Sequence, residues 1–213
     1  VEGREETAPS VLENLRMFFK LRNGRSLLWF ILGMCFLEAS NAPLFIYGQR
    51  LFQDYHVAPS WIAAIMAASM AFNAVGFILA ERLGRFSVPS LVMTLSLGAA
   101  LATFAYLMRP PLPAAVALFI LVDLLPGVLF IHTDAYINDR VPSEIRAAVL
   151  SVHSFLSSIA VSVAFLGVGG LLDRFPSHLV LGFLGVLPLL GMIALSAYFN
   201  AFASEAEVEA QPC

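Results

Sequence analysis

Pro113–Tyr136 reads PAAVALFILVDLLPGVLFIHTDAY, an apolar run interrupted by one mid-run acid, Asp123. A run of this length crosses about 30 Å of hydrocarbon as a helix. It is too long and too apolar for an ordinary core helix of a soluble domain. Five further runs flank it: Ser26–Tyr47, Ser60–Ala80, Val88–Met108, Ala147–Leu172 and His178–Phe202. The punctuations between them are short and polar, which joins neighbours up and down in an antiparallel bundle. Lipid offers no partner for backbone N–H and C=O groups, so each run must be helical. The ten-residue alternating segments of a membrane β-barrel are absent. The fold expected is an all-α membrane protein with six transmembrane helices.

Composition agrees. Of 213 residues, 59% are hydrophobic and only 13% charged, too few charges to disperse a soluble domain. Mean hydropathy is +0.82. The net charge of −3, without a concentrated basic face, excludes nucleic acid as a partner. Cys35 and Cys213 form neither a disulfide framework nor a CxxC motif, and no metal or cofactor is expected. No secretory signal peptide is visible.

Lys and Arg set the orientation. With the N-terminus in the cytoplasm, Arg4, Arg16, Lys20, Arg22, Arg25, Arg82, Arg85, Arg140 and Arg146 lie inside, and Arg50, Arg109 and Arg174 outside. Six spans then put both termini in the cytoplasm. Ahead of the first span, Ser10–Arg25 carries a capping box in Ser10 and Glu13 and a Leu12, Leu15, Phe18, Phe19 face. This predicts an amphipathic helix in the inner interface, within a cytoplasmic linker over 1–25. The transmembrane domain is expected at 26–202 and a disordered tail at 203–213.

Three segments carry a family resemblance. Gly76–Arg85, GFILAERLGR, is similar to the G-x-x-x-D-R-x-G-R loop of the major facilitator superfamily. Glu81 stands for its Asp, and Arg82, Gly84 and Arg85 match. The leading glycine is displaced by one residue, and Phe86 replaces the final basic residue. Pro142-Ser-Glu144-Ile-Arg146-Ala resembles the P-x-E-x-R-(G/A) loop between the fourth and fifth helices of each half. Gly169-Gly170-Leu-Leu-Asp173-Arg174 resembles the glycine-rich end of the fifth helix.

The resemblance implies a transporter of two six-helix halves, each a three-plus-three inverted repeat. The six spans and the linker-like start fit helices seven to twelve. The partner implied is the N-terminal six-helix half of the same transporter. A natural six-helix protein that dimerises is the competing reading. The setting implied is a bacterial cytoplasmic membrane.

Charged side chains inside a span are costly and mark function by default. Glu38 lies near the middle of the first span, with Asn41 one turn on and Pro43 after it. Asp123 lies near the middle of the fourth. By resemblance, the first and fourth helices line the central cavity. Glu38, Asn41 and Asp123 are therefore the expected substrate or proton site. A structural acid bonded to Ser, Asn or a backbone carbonyl is the competing reading. Glu81, Arg82, Gly84, Arg85, His132, Asp134, Arg140, Glu144 and Arg146 are the expected cytoplasmic gate.

His153, in the fifth span, reads as packing or a helix–helix hydrogen bond, because no acid lies one helical turn away. Asn73 has the same ambiguity. The alanines of the second span, and Gly167, Gly169 and Gly170 in the fifth, read as tight packing.

The function expected is secondary active transport of a small organic solute by alternating access, proton-coupled and outward. Proton-coupled uptake, a membrane-embedded enzyme and a scaffold are the alternatives. The G-x-S-x and H-E-x-x-H patterns of intramembrane proteases are absent, which speaks against the enzyme.

Overall fold

The structure is a computed structural model, and it describes residues 24–141 and 143–209. Seven α-helices are described: α1 Gly24–Asp54, α2 Pro59–Leu83, α3 Val88–Phe104, α4 Leu112–Arg140, α5 Ser143–Leu172, α6 Ser177–Phe183 and α7 Val186–Glu209. A 3₁₀ turn, Ala105–Met108, extends α3, and α6 and α7 together make the sixth span. Six segments are long and apolar enough to cross a membrane, and the described residues hold no strand. The chain is an all-α protein of membrane-spanning character. The amphipathic segment expected at Ser10–Arg25 lies outside the described residues, apart from Gly24 and Arg25, which begin α1.

The helices depart from the sequence expectation at three places. α1 runs to Asp54 rather than ending near Tyr47. The segment after Tyr47 is polar on one side only: Gln49 and Gln53 are exposed while Leu51 and Phe52 are buried, so it continues the helix. The sixth span breaks at Leu184–Gly185. Pro188 has no N–H to give the Leu184 carbonyl, and its ring crowds that turn. The last helix continues to Glu209, through residues expected to be a disordered tail. Alanine and glutamate dominate there and no Gly or Pro intervenes, so helix propensity favours continuation. Residues 210–213 lie outside the described chain.

Packing follows a two-fold pattern between the triplets α1–α3 and α4–α7. The second helix of each triplet packs on the first helix of the other: α2 on α4, and α5 on α1. The first helices, α1 and α4, touch each other, and the third spans meet where α3 packs on α7. Three spans per triplet invert the second copy relative to the first, which gives the three-plus-three arrangement.

Small residues set the closest crossings, as expected where lipid supplies no hydrophobic drive between helices. A Cβ on Gly127 would lie 2.5 Å from the Asn73 carbonyl oxygen, and one on Gly76 would lie 2.5 Å from that of Leu124. Only glycine lets α2 and α4 approach so closely. In α5, only Gly169 meets a neighbour, the Tyr47 hydroxyl; Gly167 and Gly170 face open space.

Two large apolar cores divide the bundle along its length, beside a small one of Ala80, Leu91 and Val128. The core toward the end where α1 begins, named the inner end, gathers Phe30, Met34, Leu129, Tyr136, Val149, Leu195 and Tyr198. Its rings interlock, with Phe30 stacked on Tyr136 at 5.8 Å and edge-on to Tyr198 at 5.1 Å. The outer one gathers Leu44, Phe52, Tyr106, Phe119 and Leu181, with Phe52 edge-on to Phe119 at 5.3 Å. Along α1 the inner core ends at Leu37 and the outer begins at Leu44. Along α4 the outer core ends at Val122 and the inner begins at Leu129. Glu38, Asn41 and Asp123 fall in that gap.

Candidate functional site

Each mid-depth acid takes its partners from a flanking helix of the opposite triplet. Glu38 of α1 meets α5. Ser157 Oγ donates to Glu38 Oε2, and His153 Nε2 lies 3.3 Å from Glu38 Oε1. That imidazole nitrogen is buried and within ion-pair reach, but it is not aligned on any hydrogen-bond acceptor. Asp123 of α4 meets α2. Ser69 Oγ donates to Asp123 Oδ2 at 2.9 Å, and Asn73 Nδ2 donates to the Asp123 carbonyl oxygen at 2.6 Å. Asn41 of α1 lies close to the same carboxyl group.

The close Gly76–Gly127 crossing explains the second arrangement. It brings α2 near enough for short side chains, Ser69 and Asn73, to reach α4. Ser69 and Asn73 are four residues apart and so share a helix face.

The two sites differ in access. Asp123 is 8% exposed. The Glu38 side chain is 24% exposed and that of His153 14%. They border an open face between α2 and α5, the two least-buried spans. Ser154, Ser158 and Asp134 are exposed on the helices around this face. Outward along α1 the face continues through Gln49 and Gln53, between open clefts of about 500 Å³ toward α2 and 440 Å³ toward α5.

Asp134 was grouped with His132 in the sequence, but the helix turns the two apart. His132 approaches the α2–α3 turn, its Cε1 lying 4.0 Å from where a Cβ on Gly84 would sit. Asp134 instead lies within electrostatic reach of His153 and Glu38.

The remaining gate candidates sit at the inner end. Glu81, Arg82 and Arg85 are exposed, and the Arg85 guanidinium lies 5.1 Å from the Phe86 ring centroid. Gly84 ends α2 in right-handed backbone, φ −57°, so its turn does not draw on the left-handed freedom of glycine. Arg146 donates from Nη2 to the carbonyls of Asn138 at 2.6 Å and Val141 at 3.2 Å, closing the C-terminal end of α4. Cationic side chains suit the negative end of a helix dipole. The side chains of Arg140 and Glu144, and all of Pro142, lie outside the described residues.

Thus the structure brings Asn41 to Asp123, and Asp134 toward Glu38. It holds Glu38 and Asp123 on separate partner sets. His153, read from the sequence as packing or a helix–helix hydrogen bond, stands beside an acid: the acid comes from another helix, not from its own next turn. Ser69 carried no sequence argument. Its only signal was the four-residue spacing to Asn73 within an alanine-rich span.

At the outer end, the loops are tied together. Tyr55 Oη donates to the Pro110 carbonyl, and Ser177 Oγ donates to Asp54 Oδ2 at 2.5 Å. No family model, curated protein or solved structure matches this chain.

Proposed function

We propose that the chain is the C-terminal six-helix half of a major-facilitator-type secondary transporter. It moves a small organic solute by alternating access, coupled to protons and directed outward, in a bacterial cytoplasmic membrane with both termini inside. One observation carries this reading. Two carboxylic acids lie in the gap between the inner and outer cores, on the adjacent helices α1 and α4, each partnered from the other triplet.

A charged group facing lipid at mid-depth costs about 2.5–3.5 kcal/mol even by the mildest scales. The open face with Glu38, Asp134, Gln49 and Gln53 therefore calls for water or protein over it. A second six-helix bundle of matching height, the N-terminal half, supplies both a cover and a central cavity. Acids at mid-depth, where the described residues place no Lys or Arg, favour neutral or cationic organic solutes over phosphate-bearing anions.

The test uses the full twelve-helix protein in sealed vesicles with an imposed proton gradient, screened with neutral and cationic organic solutes. Gradient-dependent movement of a solute supports the reading. A tight, functional bundle formed by this chain alone would overturn the half-transporter part of it. Chemical turnover of a bound compound in place of movement would overturn the transporter itself.

A further inference from the structure

We infer that Glu38, His153 and Asp134 form one proton-exchange site, distinct from the Asp123 network, with His153 passing protons between the two carboxylates. What the proton accomplishes rests on the transporter reading; where it binds does not.

Position along the helices gives the first argument. At 1.5 Å per residue, Glu38 lies about 21 Å along α1 from its inner end, His153 about 15 Å along α5, and Asp134 about 9 Å along α4. The three descend as a ladder from mid-depth toward the inner mouth. Ser157, about 21 Å along α5 on the same measure, is level with Glu38, as their hydrogen bond requires.

Local geometry gives the second. Ser157 holds Oε2 of Glu38, which leaves Oε1 to face the imidazole at 3.3 Å. The buried Nε2 of His153 has no aligned acceptor, so a small rotation of either side chain completes a charge-assisted bond. A buried polar atom left unaligned beside an ionisable partner calls for an explanation, and transient bonding is one. Asp134 is exposed, lies within electrostatic reach of His153 and Glu38, and stands lowest on the ladder.

The surroundings isolate the trio. Besides His153 and Asp134, the titratable group near Glu38 is the Cys35 thiol on its own helix. On the far side of α1, the described part of α7 offers Tyr198, which packs on Phe30 two turns further in. His178 of α6 lies at the outer end. Asp123, by contrast, is enclosed by Ser69, Asn73 and Asn41, which hold an acid in place without exchanging protons at neutral pH.

The transfer balances simply. The Glu38 carboxyl gives its proton to the imidazole, which leaves a carboxylate beside an imidazolium. The imidazolium then loses a proton from its other ring nitrogen to the Asp134 carboxylate or to water at the inner side. Histidine suits this place because one ring nitrogen can take a proton while the other releases one.

The experiment takes the full-length protein in lipid with ¹⁵N-labelled histidine, and His153 is identified by the signal lost in H153Q. Spectra of the wild type, E38Q and D123N are then compared. E38Q should displace the His153 ring-nitrogen signals, because it changes the partner 3.3 Å from Nε2, while D123N leaves them in place. Unmoved signals in E38Q, or an equal movement in D123N, overturn the site. In vesicles, H153Q and D134N should lower gradient-driven transport about a hundredfold and retain solute exchange without a gradient. Undiminished gradient-driven transport in H153Q overturns the relay while the transporter reading stands. Should the wild type move no solute, the transporter reading falls, and the spectra still decide the proton site.

Discussion

The Ser40 hydroxyl of α1 donates to the Leu184 carbonyl at 3.3 Å, the carbonyl that Pro188 cannot reach for want of an N–H. Leu187 N–H also bonds it, at 3.0 Å, in a tighter turn than an α-helix makes. The break in the sixth span is thus held open by one proline and stitched to α1 by one serine. Ser40→Ala should destabilise the bundle by about 1 kcal/mol, the usual net worth of a buried hydrogen bond. In a Pro188→Ala background the restored backbone N–H takes over, and the same change should cost measurably less. Unfolding of the four variants in lipid nanodiscs checks this. Equal costs in both backgrounds would refute the link.

The α2–α4 crossing gives a second prediction. Gly127→Ala drives a methyl to 2.5 Å from the Asn73 carbonyl oxygen, so the helices must part. Overpacking of this kind costs about 1–3 kcal/mol, and it should weaken the Ser69–Asp123 bond that depends on the approach. Gly170→Ala meets nothing within 4 Å and should be neutral or slightly stabilising. Matched melting curves of the two variants decide the point; similar losses in both would show that the crossing is not the cause.

These two cases show what the sequence could and could not carry. Length and polarity of the apolar runs were enough for six spans, because lipid leaves the backbone a single solution. Glu38 and Asp123 stood out because acids in such runs are rare. Their partners did not. Ser157 and His153 are on α5 and Ser69 is on α2, and which faces meet depends on where glycines let helices approach, which one sequence does not reveal. Helical spacing alone set His153 apart from any acid, yet packing supplied Glu38. Polar Gln49 and Gln53 read as loop because Leu51 and Phe52 between them could not be seen to bury.

Sidedness is open to labelling. Gln53 and Arg109 line one cleft of about 420 Å³ at one end of the bundle, and Arg146 closes α4 at the other. In intact cells a membrane-impermeant thiol reagent should label cysteines placed at Gln53 and Arg109, and should not label those at Arg85 and Arg146. Labelling at Arg85 from outside would reverse the orientation.

Tyr55 gives a pH dependence at the outer end. Burial raises its phenol above the ordinary value, and the Arg109 cation opposes this in part. A raised value in the folded state means that the folded chain holds this proton more tightly. The stabilisation is therefore complete below the ordinary value of about 10 and fades as pH rises through the folded one. The bond to the Pro110 carbonyl needs that proton. The melting temperatures of the wild type and Tyr55→Phe should differ by a constant amount up to about pH 9 and converge above about pH 10. A gap that persists to higher pH would show that the hydroxyl contributes by packing alone.

Asp123 is the acid whose partners can be removed one at a time. Its carboxyl accepts from Ser69, with Asn41 close by, and its backbone carbonyl accepts from Asn73. Asp123→Ala leaves the buried Ser69 hydroxyl without its acceptor, which should cost about 1–3 kcal/mol. Asp123→Asn keeps an acceptor oxygen and the side-chain size, so it should cost about 1 kcal/mol or less. Ser69→Ala removes one donor and should fall between them. If Asp123 serves only to tie α2 to α4, transport in the full-length protein should track this order of stability. If it also binds the solute, Asp123→Asn should raise the solute KM at nearly unchanged stability, while Ser69→Ala lowers stability at nearly unchanged KM. Parallel measurement of unfolding and of solute concentration dependence separates the two roles. An Asp123→Asn protein with wild-type KM and wild-type gradient dependence would leave the acid a structural tie and nothing more.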